Sequence, residues 1–412
     1  MDIHAIRSSF EIEFFDVMAI PDDYRKGYFL EVDLEYPKEL HDLHNDYPLA
    51  AESKKIEDHQ LSTYSNTLLD KSRKSAKVEK LIPNLMNKTN YVIHYRNLKQ
   101  CLKLGMKVTK IHKILEFDQS PWMKTYIELN TEMRKKATNE FEKDFYKLMN
   151  NSPFGKTMEN IRNRVDVQLV KSEKEAEKLV NQPRFKRFNT FDENLVAVHM
   201  KRKKLYFNKP IYVGVAILEL SKTLMYDFHY DTIKKKYGEK AKLLLTDTDS
   251  LCYEIQTDDV YKDMLQDKHL YDLSDYDKHH FLYDTTNKKV LGKMKDEANG
   301  TIITEFVGLR SKLYCFQKDA KDDKNGKDFK DVKKAKGVKK KVVKKTLTIA
   351  DYRNTLFTGE KLHRSMNLIK SEQHELYTQK VNKIALSSFD DKRYVLGDKI
   401  TTLAHGHYLT NK

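Results

Sequence analysis

Two carboxylates separated by one residue close an apolar run between Lys242 and Leu251, KLLLTDTDSL. In an extended chain residues i and i+2 point the same way, so Asp247 and Asp249 present their acids together. Like charges this close repel, and burial raises the cost, unless a divalent cation lies between them. Oxygen ligands of this type suit Mg²⁺, which keeps some waters and also binds substrate phosphates. In one chemistry open to such a pair, two metal ions clamp the attacking and leaving oxygens of a phosphoryl transfer. The plainer reading is a hairpin turn rich in Asp, Ser and Thr, residues that favour turns for their own reasons.

A second chemistry lets one aspartate attack phosphorus itself, as in the haloacid-dehalogenase-type phosphatases, whose Asp-x-Asp also follows an apolar strand. That family expects Thr or Val two residues after the second acid, where this chain has Leu251, and its motif usually opens the domain. It stands as a minor alternative.

The acids need a strand to carry them. Leu243 to Leu245 supplies it, and Leu251 to Ile255 reads as the return strand, so the stretch predicts a hairpin with acids at its turn. From Asn130 to Arg164 a long helix is expected. Met133, Ala137, Phe141, Phe145, Leu148 and Met149 recur at helical spacing along one stripe. Lys136, Lys143 and Lys147 follow a neighbouring row with Lys135 slightly off it, and a lysine row by itself is usually a solvated face. Pro153 and Gly155 in NNSPFG signal a break in that helix. GVAILELSKTLMYDFHYDTIKKKYG reads as an amphipathic helix ending at Gly238 and leading straight into the acid hairpin. Residues 318–345 are dense in lysine and must be solvated or held against phosphate. Helical periodicity returns in ADYRNTLFTGEKLHRSMNLIKSEQHELYTQ, which predicts a mostly helical C-terminal subdomain.

At 412 residues, with 39% hydrophobic residues, the chain can bury one or two substantial cores. Its 76 Lys+Arg against 61 Asp+Glu give +15, a surplus that favours a polyanionic partner, most commonly nucleic acid. Cys101, Cys252 and Cys315 form no CxxC pair, so a zinc site and a disulfide framework are not expected, and a reducing compartment fits best. The pairs His41/His44 and His279/His280 lack a third ligand at metal spacing and read as surface or satisfied histidines. No run of 18 apolar residues exists to span a membrane, and the acidic N-terminus does not read as a signal peptide.

Three motifs in one order carry a resemblance. KLMNNSPFG (Lys147 to Gly155) resembles the Lys-x-x-x-Asn-Ser-x-Tyr-Gly motif of family B DNA polymerases. TDTDS (Thr246 to Ser250) is similar to their Tyr-x-Asp-Thr-Asp-Ser motif, and SKLYCF (Ser311 to Phe316) holds a Lys-x-Tyr where they carry one. Longer stretches, EVDLEYPKELHDLHNDYPLA among them, resemble the protein-primed polymerases of Polinton/Maverick-type mobile elements and related viruses.

The resemblance implies a mixed α/β right-hand fold: a palm sheet, helical fingers and a mostly helical thumb. It divides the chain into a palm remainder with an insertion (1–129), fingers (130–165), a second insertion (166–205), palm with the TDTDS hairpin (206–305), and primer grip and thumb (306–412). Asp249 becomes the main ligand of both magnesium ions, with Asp247 beside it. Lys143 and Lys147, with Lys135, bind the triphosphate of the incoming dNTP. Asn151 and Phe154 lie against the nascent base pair, Ser152 and Gly155 near the template, and Lys312 and Tyr314 hold the primer end. Implied partners are template-primer DNA, dNTP and, as a candidate, a terminal protein primer.

Three departures qualify the match. Phe154 replaces a tyrosine and Thr246 an aromatic residue. Family B enzymes also need an earlier palm aspartate, in a motif like Asp-x-x-Ser-Leu-Tyr-Pro, and Asp33 in VDLEYP sits two residues short of that spacing. No 3'–5' exonuclease region precedes it. The expectation is therefore a DNA-directed DNA polymerase represented by its C-terminal part, with a catalytically defective DNA-binding remnant as the alternative.

Overall fold

The computed structural model describes residues 3–6, 15–69, 78–319, 329–372 and 375–411. Part of the lysine-dense segment, 320–328, lies outside them. The chain divides into two compact units. One comprises 1–122, 218–364 and 382–412, the other 123–217 and 365–381.

The first unit is built on a four-stranded antiparallel sheet in the spatial order Ile3–Ile6, Lys107–Asp118, Lys26–Glu35, Lys88–His94. Alternation in LEVDLE sends Leu30, Val32 and Leu34 into the core and leaves Glu31, Asp33 and Glu35 half-exposed. The strand at Lys26–Glu35 ends before Pro37, which has no N–H to donate to a ladder. Helix Tyr95–Lys103, whose Tyr95, Leu98 and Cys101 are buried against the sheet, is followed by the long strand Lys107–Asp118.

Helix Ile211–Asp227 joins that core through Tyr226. Gln100 Nε2 donates to the Thr223 carbonyl and to Asp227, and Asn97 Nδ2 donates to the buried Glu219 at 2.7 Å. The helix continues as a π-helical stretch, Phe228–Lys234, and stops at Gly238 with φ +54°, the predicted end.

Farther along this unit a three-stranded antiparallel sheet runs Ile303–Arg310, Leu313–Asp319, Phe329–Ala335. Its inner face, Val307, Leu309, Leu313, Cys315 and Ala335, packs on helices Lys340–Thr346 and Ile349–Thr358. A capping box between Thr348 and Asp351 starts the second helix, and Gly359 at φ +78° stops it.

Beyond Gly359 the chain is not mostly helical, which corrects the expectation for the C-terminus. Leu362–Glu372 and Glu375–Leu386 are paired strands. The period-two burial of Leu362 to Met366 matches a strand better than a helix. Cys101, Cys252 and Cys315 are free thiols.

The second unit contains the expected helical region, but as two helices, Lys124–Lys136 and Glu140–Thr157. The break falls at Ala137–Asn139 because Asn139 caps the second helix, accepting from Glu142 N at 2.9 Å, while Glu142 accepts from Thr138 N. Pro153 does not end that helix. It removes the donor for the Met149 carbonyl, which accepts instead from Tyr126 Oη at 3.0 Å and Ser152 Oγ at 3.3 Å. The apolar stripe is largely outward, with Phe141 79% and Leu148 58% exposed. Residues 166–200 form a small three-stranded sheet with one helix against it.

Candidate active site

Asp247 ends strand Ala241–Asp247, paired antiparallel with Ser250–Ile255, so the acids do mark a hairpin tip. The partner of Asp247 is Ser250, which leaves Thr248 and Asp249 as the loop. Asp249 is therefore exposed in the turn, while Asp247 is half-buried on the strand. Thr248 has φ +61°, and Asp249 N donates to the Asp247 carbonyl at 2.7 Å across it. A three-residue turn with positive φ at a β-branched residue is strained, and the strain sits between the two acids. The strand itself is less buried than its apolar letters suggest: Leu244 is exposed and Leu243 and Leu245 only half-covered.

The tip is held from behind by HNDYPLA. Asp46 accepts from Leu243 N at 3.3 Å, and Thr246 hydrogen-bonds Tyr47. Tyr226 and Tyr230 donate to the carbonyls of Pro48 and Tyr47. From the π-helical stretch, buried His229 stacks on Tyr253 of the return strand, with Nδ1 2.9 Å from the phenol oxygen. Burial brings the His229 pKa down to about 4. None of these supports was named from the sequence. Only the aromatic, proline-bearing HNDYPLA stretch hinted that this loop is packed.

A second hairpin tip meets the first. Lys312, at the turn of Ile303–Arg310 and Leu313–Asp319, has φ +61° and sets Nζ 2.9 Å from Asp247 Oδ1. Tyr314, two residues on, is raised in pKa by burial and by the nearby Asp247 charge. Asp247, Asp249, Lys312 and Tyr314 thus share one place in the fold.

Lys135, Lys143, Lys147, Asn151, Ser152, Phe154 and Gly155 form a separate group on the helical hairpin of the second unit. Lys136 is on the first helix, with Lys135, and so leaves the predicted row; Lys143, Lys147, Asn151 and Phe154 step by four, four and three along one face of the second. Lys135 pairs with Glu132 and Lys143 with Glu140. Lys147 has no acidic partner among the described residues. A Cβ at Gly155 meets nothing within 4 Å, so the chain's own packing does not require glycine there.

Asp33 is otherwise engaged. Its carboxylate accepts from Asn90 N at 2.8 Å and lies 2.8 Å from His112 Nε2, contacts that hold its pKa down. Its strand belongs to the four-stranded sheet, not to the acid hairpin. His41 and His44 are buried, not at the surface, and each is satisfied at one nitrogen only: His44 Nδ1 lies 2.8 Å from Tyr36 Oη and His41 Nδ1 accepts from Tyr408 N at 3.1 Å, while neither Nε2 has a hydrogen-bond partner among the described residues.

Residues 34–235 match the family model for DNA polymerase type B, organellar and viral. Over those residues, just under half of the chain, it is similar to the type B DNA polymerases. The matched span includes Lys147 to Gly155 and ends before Asp247 and Asp249 of this chain. No curated protein sequence matches it. Among solved structures it is similar to phi29 DNA polymerase in an orthorhombic crystal form, with TM-score 0.47 and 14% identity over 89% of this chain and 52% of that one. Similar values hold for phi29 polymerase with primer-template DNA (TM-score 0.46, 15% identity, 88% and 51% covered). With primer-template DNA and incoming nucleotide the TM-score is 0.43, at 14% identity, with 88% and 58% covered. The chain spans little more than half the length of these polymerases.

Proposed function

We propose that this chain carries out nucleotide addition in a DNA-templated DNA polymerase of the protein-primed type, with the right-hand layout the resemblance implies. The observation that carries the reading is the Lys312–Asp247 contact at 2.9 Å, which joins two motifs far apart in sequence at one point in space. The reaction is attack of a primer 3'-hydroxyl on the α-phosphate of a dNTP, with pyrophosphate leaving. Lys312 and Tyr314 hold the primer end beside Asp247. Lys143 and Lys147 are point charges for the triphosphate, and Phe154 offers a ring to the base pair. DNA template-primer and dNTP are the partners; a terminal protein supplies the priming hydroxyl.

Magnesium is tested by the donors present. Asp247 and Asp249 offer the right oxygen chemistry, yet Lys312 already occupies one Asp247 oxygen. The described residues contain no group of three or more His, Cys, Asp or Glu that could hold a metal. The described residues therefore do not make up a complete two-metal site, and no step is drawn through one.

That same observation favours the second reading, a DNA-binding remnant. Primer extension with Mg²⁺ separates them. dNTP incorporation that disappears in Asp249→Ala supports the polymerase; tight primer-template binding without extension supports the remnant.

A further inference from the structure

We infer that the outer face of the Ile303–Arg310, Leu313–Asp319, Phe329–Ala335 sheet is a binding track for a DNA strand whose 3' end lies at Asp247. The inference rests on the polymerase reading for its direction and adds residues that the motifs do not name. Rings of Phe306, Tyr314 and Phe316 stack in sequence across this face, with centroids 5.9 and 6.2 Å apart. Gly308, opposite Tyr314, makes the ladder possible, because a Cβ there would come within 2.8 Å of the Phe306 ring.

Lysines accompany the rings. Lys318 Nζ sits 5.9 Å from the Phe316 centroid and donates to the Glu297 carbonyl. Lys334 is the register partner of Tyr314 and is exposed, and Lys330 is the partner of Lys318. Two acids of these strands serve other groups: Glu305 holds Arg353, and Asp331 accepts from Gln317. Lys333, on the inner face, is structural, donating to the Lys344 and Leu347 carbonyls.

One face is thus cationic and aromatic, and it runs from the Lys312 tip outward. Successive aromatic platforms beside a line of positive charge suit a nucleic-acid strand, since rings stack on any base and lysines neutralise phosphates. A protein partner would need neither the charge nor the regular ring spacing.

The test is fluorescence anisotropy of a labelled primer-template with the whole chain across a salt series. Phe316→Ala is expected to weaken binding about tenfold, and Phe316→Leu, which keeps apolar bulk, is expected to do nearly the same. The double variant Lys318→Gln/Lys334→Gln should lower the salt slope by about 1.5. Unchanged affinity in both Phe316 variants, with an unchanged slope in the lysine pair, overturns the track. So does unchanged DNA binding accompanied by self-association of the lysine variant, which would make Lys334 a guard of its edge strand. If these losses occur in a chain that extends no primer, the track stands and the proposed reaction fails. If the chain extends primers while the variants bind normally, the reaction stands and the track fails.

Discussion

Lys312 and Asp247 meet 2.9 Å apart, each at the turn end of its own hairpin. The ammonium neutralises one of two adjacent acids and also stands where a primer phosphate is proposed to lie. Lys312→Met should weaken primer-template binding at every sequence tested and reduce the salt slope by about 1. Because Lys312 is in the left-handed region, Lys312→Gly separates charge from backbone: it relieves the φ yet should show the same binding loss. Anisotropy titrations check both.

Strain at Thr248 gives a second expectation. Glycine adopts φ +61° without the steric cost a β-branched residue incurs. Thr248→Gly should therefore raise stability by roughly 1 kcal/mol in urea unfolding. Any primer extension should fall, because the acids lose a fixed spacing. A variant that gains no stability would contradict the strained turn.

The proline inside helix Glu140–Thr157 makes Tyr126 and Pro153 interdependent. Tyr126→Phe should cost about 1 kcal/mol, the worth of one hydrogen bond. In a Pro153→Ala background the backbone N–H returns to serve the Met149 carbonyl, and the same change should cost much less. A double-mutant cycle reads the coupling; additive effects would contradict it.

Buried histidines set an acid limit. Burial lowers His44, His94 and His229 to about 4 from an ordinary 6.5. Between those values the unfolded chain binds protons that the folded chain does not, so stability falls as pH drops from about 6.5 to 4 and then levels. Each histidine contributes up to about 1.4 kcal/mol for every tenfold loss of proton affinity on folding. Urea midpoints measured from pH 7 to pH 4 should show this slope, and His229→Gln should flatten it.

The sequence by itself determined that a two-stranded turn would carry Asp247 and Asp249, because strand period and turn chemistry are local. It determined the helix that ends at Gly238 for the same reason. It also holds a helix-start pattern in Asn139 and Glu142, which places the break before Pro153, whereas the alternating burial of Leu362 to Met366 has no apolar alternation behind it, because Arg364 stands at an inward position. Only the tertiary structure decided which tips meet. Lys312 reaches Asp247, Asp46 and Tyr47 back the acid strand, and His229 stacks on Tyr253 through long-range packing between segments. Spacing along a chain encodes the face a side chain takes, and carries no record of which distant segment will cover it.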